Sequence, residues 1–263
     1  MKAGRWIAKS ALPERDVSCV VLSSRAEKAI ELLRQRGVDV LCPQPCKGLL
    51  APEQLHADLL MRHLGSRELL LSPDQGALAV KLRERGGRPM LISRRLTPEY
   101  PENVALNAAL CGAVAFAKPD ASAPELMDGL DRHGYRLHAV RQGYAGCGCA
   151  VVTSRAVMTS DPGIAKAAGE EGIDCLLLTP GHIRCDGFDC GLIGGCCGKL
   201  GPRLLAWTGD VDRHPDAKRM RDFCASHGVE LLTLGDGPLT DFGGIIPLME
   251  EGNAPYVPVP MRI

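Results

Sequence analysis

Five short polar segments carry residue types that can do chemistry, and each of them stands directly before an apolar stretch. They are His56-Ala-Asp58, Asn103 to Asn107, Gly143 to Cys147, Gly187-Phe-Asp189 and Asp241-Phe-Gly-Gly244. A cysteine thiolate is a nucleophile, and a histidine transfers protons near neutral pH. If a fold brought these segments to one place, their polar groups would form a small pocket in an apolar wall.

The same residues also have interpretations that need no functional site. A polar residue in a turn can satisfy its own backbone, and this would account for His56. Most free cysteines behave as small buried hydrophobes, and this would account for Cys147. The sequence alone leaves both interpretations open.

The cysteines raise a metal site as a further alternative, because six of the twelve cluster in the predicted fourth and fifth units: Cys147, Cys149, Cys185, Cys190, Cys196 and Cys197. Structural zinc sites typically use two CxxC or CxxH pairs, and no CxxC occurs in this sequence. Side chains of neighbouring strand residues point to opposite faces, so Cys196 and Cys197 would diverge. Core packing of the cysteines is favoured, and we expect no metal and no cofactor.

Composition limits the partners of the protein. The 31 basic and 31 acidic residues cancel, so there is no electrostatic case for nucleic acid or for an anionic membrane. The longest apolar run, 105 to 117, is too short to span a bilayer, and the first residues lack the apolar centre of a signal peptide. We therefore expect a soluble, cytoplasmic protein with reduced thiols.

The elements that must position the polar segments are clearest between residues 149 and 178. Residues 149 to 153 and 155 to 159 are rich in β-branched residues and predict a hairpin. Asp161 and Pro162 are typical of a helix start, and Gly172 of a helix end. The apolar run from 173 to 178 predicts a strand buried on both faces. The unit is strand, strand, helix, strand.

This unit recurs along the whole chain. A glycine that ends a predicted helix and precedes an apolar strand returns every 38 to 56 residues, at 37, 86, 134, 172 and 228. Five such matches in register indicate an internal repeat. We expect first strands over 57–63, near 105 and over 190–194, and an irregular lead-in over 1–17. The predicted units within a single domain of residues 1–263 cover 18–45, 56–93, 104–141, 143–180 and 187–235, followed by a closing strand at 241–249 that pairs with 18–22.

Five ββαβ units with pseudo-fivefold symmetry, closed by pairing of the N- and C-terminal strands, resemble the pentein fold, an α/β-propeller. Its known members include guanidino-group-modifying enzymes and a non-catalytic ribosome anti-association factor. The motifs HAD at 56, QGYAGC at 142, GFDCGLIGG at 187 and DFGG at 241 are most similar to an uncharacterised bacterial pentein-like family. The resemblance implies that the five polar segments meet at one end of a central channel, where a small-molecule ligand would bind.

The catalytic members use a cysteine nucleophile, a histidine acid/base and carboxylates that hold a guanidinium. Their nucleophile lies in the last strand after a glycine pair, and here Gly243-Gly244 is followed by Ile245-Ile246. A site rotated around the pseudo-fivefold axis would still pair a cysteine with a histidine. The resemblance then implies Cys147 as nucleophile, His56 as acid/base, Asp58, Asp189 and Asp241 as substrate carboxylates, and Asn107 and Tyr144 as hydrogen-bonding residues.

Two functions follow from these expectations. The first is a cysteine-dependent hydrolase or amidinotransferase-like enzyme that acts on a small guanidino or amino compound. The alternative is a non-catalytic binding or scaffold protein that kept the fold and lost the usual nucleophile.

Overall fold

The computed structural model describes residues 4–252, which form five small sheets. Each sheet contains an antiparallel pair of strands followed by a helix and a parallel third strand, and one sheet has an added edge strand. The first half of the chain forms β1 (Gly4–Trp6), β2 (Val17–Val21), α1 (Glu27–Gln35), β3 (Asp39–Leu41), α2 (Ala57–Leu60), β4 (Met61–Gly65), β5 (Glu68–Leu71), α3 (Gly76–Glu84), β6 (Arg88–Leu91), β7 (Ala109–Cys111), β8 (Val114–Ala117), α4 (Pro124–Arg132) and β9 (Arg136–Ala139).

The second half continues the pattern and ends on a strand that returns to the first sheet. It forms β10 (Cys149–Thr153), β11 (Ala156–Thr159), α5 (Pro162–Glu170), β12 (Asp174–Leu177), β13 (Cys197–Gly201), β14 (Leu204–Trp207), α6 (Ala217–Ser226), β15 (Glu230–Thr233) and β16 (Ile246–Glu251). Strand β16 lies between β1 and β2 and is antiparallel to both. The first antiparallel pair is therefore built from both ends of the chain, which confirms the predicted closing strand.

The apolar core is divided among the boundaries between units. Each of five buried clusters combines residues of two neighbouring units, so that every unit shares one cluster with the unit before it and one with the unit after it. The cluster around Val20 and Leu33 also contains Leu200 and Ala206, and so joins the fifth unit to the first. Apolar burial of this kind is the main force that holds the ring of units together.

Hydrogen bonds join the same neighbours at the inner strands. Asp58 N donates to Gly243 O, Arg62 Nε to Leu106 O, Gly146 N to Asn107 Oδ1, Gly194 N to Cys147 O, and Ile245 N to Cys197 O. These five contacts pass once around the set of sheets. The predicted α/β-propeller of five ββαβ units is confirmed.

The predicted helix ends are confirmed by backbone angles. The five repeated glycines have φ between 65° and 80°, the left-handed region that a residue without Cβ adopts at little cost. Asp161 caps helix α5, since its carboxylate accepts from Ile164 N at 2.9 Å. Local chemistry therefore determines where the helices end.

Several strand boundaries differ from the prediction. The predicted strand 57–63 begins with the one-turn helix α2, because Leu59 N and Leu60 N both donate to His56 O. The first strand of the third unit is β7, which follows a 3-10 turn at Glu102–Val104. The predicted strand 190–194 in the fifth unit is wrong, because strand pairing there begins only at Cys197. The closing strand starts at Ile246 rather than 241.

Two further expectations were wrong. Part of the predicted irregular lead-in forms β1, which pairs with β16. Strand β12 is not buried on both faces, because it is an edge strand that pairs only with β11, and Asp174 and Leu177 at its ends are exposed. Residues 1–3 and 253–263 of the predicted domain lie outside the described residues.

Candidate functional site

Four of the five predicted polar segments contribute to one buried polar cluster. His56 is the N-cap residue of helix α2, which holds Asp58 in its first turn, while Asn107 and Cys147 stand before β7 and β10. Asp241 stands five residues before β16. The side chains of all five residues are at least nine-tenths buried, so their polar groups need partners within the protein.

Asn107 organises one side of this cluster. Its Oδ1 accepts from Gly146 N at 2.7 Å and from Cys147 N at 3.2 Å. Its Nδ2 donates to Asp58 O at 3.1 Å and to Cys147 Sγ at 3.0 Å. The amide therefore fixes the position of the Cys147 thiol relative to the backbone of Asp58.

Asp241 organises the opposite side. One carboxylate oxygen accepts from Leu192 N and the other from Gly243 N, each at 2.9 Å. Oδ1 also lies 3.7 Å from His56 Nδ1. The pKa of Asp241 is raised to about 6, mainly by burial; the nearby His56 opposes this rise, and the charge of Asp58 adds to it.

Two glycines allow these groups to approach each other. A Cβ placed on Gly195 would overlap Asp241 Oδ1, and one on Gly243 would overlap His56 Cα. Gly243 also has φ of 80°, which other residues rarely adopt. The glycine-rich motifs are thus explained by close packing against the acidic and imidazole side chains.

Asp58 has an unusual environment for a buried carboxylate. Neither of its oxygens has a hydrogen-bond partner among residues 4–252, although the side chain is only 5% exposed. The neighbouring guanidinium of Arg62 bonds to main-chain oxygens, those of Leu106 at 3.1 Å and Asp58 at 3.4 Å. Two acceptor atoms are left without a donor, which is costly in a protein interior.

The thiol of Cys147 is not activated in this arrangement. Burial raises its pKa well above the ordinary value, and the charges of Asp58 and Asp241 raise it further, against the opposing hydrogen bond from Asn107. No hydrogen bond joins Cys147 to His56 in the described part of the chain. The group is a neutral thiol at neutral pH in the absence of a ligand.

Tyr144 lies next to this cluster with partners that the sequence did not reveal. Its hydroxyl donates to Glu53 Oε1 at 2.9 Å and accepts from Asn103 Nδ2. Burial raises the pKa of the Tyr144 hydroxyl, and the adjacent Glu53 carboxylate raises it further. Glu53 stands in a loop rich in proline and cysteine, where no periodic pattern pointed to a buried carboxylate.

The covering segment, residues 181–192, passes over the cluster. Cys185 is buried there, and burial together with the carboxylates of Asp241 and Glu53 raises the pKa of its thiol to about 12. Asp189 lies in the same segment but is exposed and forms no hydrogen bond or ion pair with residues 4–252. The structure thus does not bring Asp189 together with the other predicted residues, and its role stays a prediction.

Neither a metal cluster nor a membrane-spanning helix was found among residues 4–252. No group of three or more histidine, cysteine, aspartate or glutamate residues there is arranged to hold a metal ion. None of the helices there has the length and apolar character needed to cross a bilayer.

Comparisons with known proteins identify the family and the fold. The chain belongs to the "Family of unknown function (DUF6873)", whose model matches residues 21–246. No curated protein matches the sequence.

Solved structures of the pentein fold match nearly the whole chain at low identity. Inosamine-phosphate amidinotransferase from Streptomyces griseus is 13% identical with a TM-score of 0.57, and the match covers 94% of this chain and 98% of that one. DDAH from Pseudomonas aeruginosa, complexed with citrulline, is 11% identical with a TM-score of 0.54 and coverages of 87% and 96%. Agmatine deiminase from C. jejuni is 8% identical, with a TM-score of 0.51 and coverages of 88% and 93%. The chain therefore has the pentein fold.

Proposed function

We propose that this member of an uncharacterised pentein-fold family binds a small guanidinium or amine cation in its buried polar cluster. The observation that carries the proposal is the set of atoms without partners. Asp58 Oδ1, Asp58 Oδ2 and Asn103 Oδ1 are all buried acceptors, and none has a donor. A ligand that satisfies them must offer several hydrogen-bond donors, and a guanidinium or an ammonium ion offers these together with the charge that complements a carboxylate.

The charges of the cluster favour the same ligand. Glu53, Asp58 and Asp241 are three buried carboxylates, and His56 is the only basic side chain within 4.0 Å of any of them in the described residues. The buried Arg62 acts on Asp58 electrostatically from a greater distance, so the carboxylates still outnumber the nearby cations. Buried charges are normally paired, so a bound cation would remove an electrostatic penalty. Relatives of the same fold whose names denote enzymes of guanidino compounds support this ligand class.

A bound guanidinium also changes the chemistry of Cys147. Its positive charge would offset Asp58 and Asp241, which raise the pKa of the thiol in the unliganded protein. The ligand would therefore promote the deprotonation that makes Cys147 nucleophilic, while free Cys147 stays unreactive. We propose Cys147 as the nucleophile of a cysteine-dependent hydrolase or amidinotransferase.

The proposed reaction has two halves. His56 takes the thiol proton, Cys147 Sγ bonds to the guanidino carbon, and His56 returns the proton to the amine nitrogen whose C–N bond breaks. Water or an acceptor amine then attacks the same carbon and gives up a proton to His56, the C–S bond breaks, and His56 returns the proton to the Cys147 thiolate. Because His56 and Cys147 are not hydrogen-bonded here, a water or a ligand atom must lie between them during the transfers.

The covering segment controls access in this proposal. The three carboxylates are at most 6% exposed, and Leu192, the last residue of the segment, donates its backbone N–H to Asp241. Movement of this segment, most of whose residues from 181 to 191 are exposed, would open a path from solvent to the carboxylates. Binding and segment movement would then be coupled.

The test compares two alkylating agents that differ in charge. Chloroacetamidine carries an amidinium that mimics a guanidinium, and chloroacetamide is its neutral counterpart. We expect chloroacetamidine to label Cys147 at least tenfold faster than chloroacetamide does, and Asp58→Asn to abolish the difference. Exposed Cys190 is the internal control and should show no such preference. Equal labelling of Cys147 by both agents would contradict the proposal.

The non-catalytic alternative is favoured by one observation, the high pKa of Cys147 without a hydrogen bond to His56. A protein of this kind would bind the cation and leave it unchanged. Mass spectrometry separates the two functions, because turnover of a guanidino compound releases an amine. Binding without amine release and without a covalent intermediate on Cys147 would support the alternative.

A further inference from the structure

A second acidic group lies beside the proposed guanidinium site. The carboxylate of Glu53 is 4% exposed, and no lysine, arginine or histidine in the described residues forms an ion pair with it. It accepts from Tyr144 Oη at 2.9 Å and, at 3.4 and 3.5 Å, from Asn103 Nδ2. The longer contacts are weak, so much of the acceptor capacity of the carboxylate is unused.

Asn103 adds an acceptor without a donor at the same place. Its side chain is 2% exposed, and its Nδ2 is bonded to Glu53 and Tyr144. Its Oδ1 has no partner within residues 4–252. The carboxylate and the amide oxygen together lack donors, as Asp58 does.

Two aromatic rings complete this environment. Tyr100 and Tyr144 stack with centroids 6.1 Å apart and planes inclined by 19°. Tyr100 is about half exposed, so the pair connects the buried Glu53 to solvent. A cation is attracted both by a carboxylate and by the faces of aromatic rings.

The two acidic groups face the same region. The carboxylates of Asp241 and Glu53 both raise the pKa of Cys185. The Cβ atoms of Cys185 and Asp241 both pack closely against Gly191, where an added side chain would not fit. Tyr144 is bonded to Glu53 and follows directly after Gly143 in the segment that ends at Cys147. One ligand could therefore reach Asp58 with one end and Glu53 with the other.

We propose that Glu53, Asn103 and Tyr144 form an amine subsite, so that the ligand carries an amine or alkylammonium group at the end opposite its guanidinium. The ligand class is a guanidinoalkylamine without a carboxylate. This inference rests on the proposed function, because Asp58 and Asp241 must hold the guanidinium end.

The same geometry disfavours guanidino acids. A carboxylate at the far end would face Glu53, and burying two like charges together is unfavourable. The arginine beside this loop, Arg25, is bonded to Ala51 O at 2.7 Å and Pro52 O at 3.1 Å. Since its guanidinium is held by these carbonyls, we expect no carboxylate recognition there.

The experiment uses three ligands that differ only at one end: aminobutylguanidine, butylguanidine and guanidinobutyrate. Calorimetry on the full chain measures their dissociation constants. We expect aminobutylguanidine to bind at least tenfold more tightly than butylguanidine and at least a hundredfold more tightly than guanidinobutyrate. Glu53→Gln should reduce the first ratio to about one, whereas Glu230→Gln, an exposed control, should leave it unchanged.

The outcomes separate this inference from the proposed function. If butylguanidine binds as tightly as aminobutylguanidine and Asp58→Asn weakens both, the amine subsite is wrong and the guanidinium site stands. If guanidinobutyrate binds most tightly, a cation such as Arg25 recognises a carboxylate and the inference is overturned. If none of the three ligands binds, both proposals fail. The ligand series in the unmodified protein is decisive even if Glu53→Gln does not fold.

Discussion

Asp241 Oδ1 lies 3.7 Å from His56 Nδ1, and these two residues are brought together by the joining of the chain ends. His56 opens the second unit, while Asp241 leads into the closing strand. Gly195 packs against Asp241 and Gly243 packs against His56, and neither glycine has room for a Cβ. The charge state of the candidate site therefore depends directly on closure of the ring.

Unfolding stability should depend on pH through Asp241. Burial raises the pKa of this carboxyl to about 6, above the ordinary value near 3.9. The folded state holds the proton more tightly, so this contribution to stability is full below about pH 4 and is lost as pH rises through about 6. The loss should be on the order of 2 kcal/mol.

The measurement is denaturant unfolding of the wild type and Asp241→Asn between pH 4 and pH 7. The difference in free energy of unfolding between the two proteins should change across this range in favour of Asp241→Asn. A difference that stays constant with pH would contradict the raised pKa.

Asp58→Asn should make the unliganded protein more stable and less able to bind. The substitution keeps the shape of the side chain and removes a buried charge whose two oxygens have no donor. We expect a gain on the order of 1 kcal/mol in unfolding free energy, together with loss of stabilisation by added butylguanidine. Thermal melts with and without the ligand test both parts. A variant that is less stable yet still binds would contradict the assignment.

Asn107→Ala should be among the more damaging single substitutions. It would leave the buried N–H groups of Gly146 and Cys147 without their acceptor and remove a donor from Asp58 O. We expect a loss of about 3 kcal/mol, since each buried unpaired group costs about 1–3 kcal/mol. Gln35→Ala on the exposed face of α1 is the control and should change stability by less than about 0.5 kcal/mol.

Alanine at two glycines should have opposite effects. In Gly195→Ala the new Cβ would overlap the Asp241 carboxylate, and we expect a loss of about 1–3 kcal/mol together with weaker ligand binding. Gly169→Ala lies inside helix α5 with open space around it, and should add about 0.5–1 kcal/mol. Equilibrium unfolding of the two variants is the comparison, and similar values for both would contradict the close packing.

Lys199 should give a second pH dependence with the opposite sign. The amine is buried and donates to Val152 O at 3.1 Å and Pro202 O at 2.8 Å, and burial lowers its pKa to about 8. The unfolded state binds the proton more tightly, so stability should rise by about 2 kcal/mol between pH 8 and pH 10. Lys199→Met should remove this rise, which unfolding experiments at both pH values would detect. An unchanged slope would contradict a buried ammonium.

The repeat could be predicted from sequence because its markers act locally. A glycine that ends a helix, such as Gly172, is required by the backbone of that residue alone, and it remains visible whatever the tertiary context. The first residue of a strand is harder to predict from sequence than the last residue of a helix, and β13 is an example. Its sequence places Lys199 inside the strand, and the Lys199 amine is satisfied by Val152 O of the neighbouring unit and by Pro202 O in the turn that follows β13.

The candidate site could be predicted only in part for the same reason. His56, Asp58, Asn107, Cys147 and Asp241 each stand before an inner strand, a position that the repeat reveals. Asn103 opens one of the predicted polar segments, whereas Glu53 joins the site only through its contacts with Asn103 and Tyr144 in other units, which no local pattern records. Asp189 occupies the expected position in the chain, but the long covering segment turns it outward to solvent.

The position of β16 between β1 and β2 has a consequence for synthesis of the protein. The last described strand is also a central strand of the first sheet, so a nascent chain still attached at its C-terminus to the ribosome lacks the partner that β1 and β2 need. The circle of units can therefore become complete only after β16 has been synthesised. Conversely, the first and last described strands, β1 and β16, are adjacent, so a permuted chain that joins them and opens at an exposed turn should keep the same five sheets.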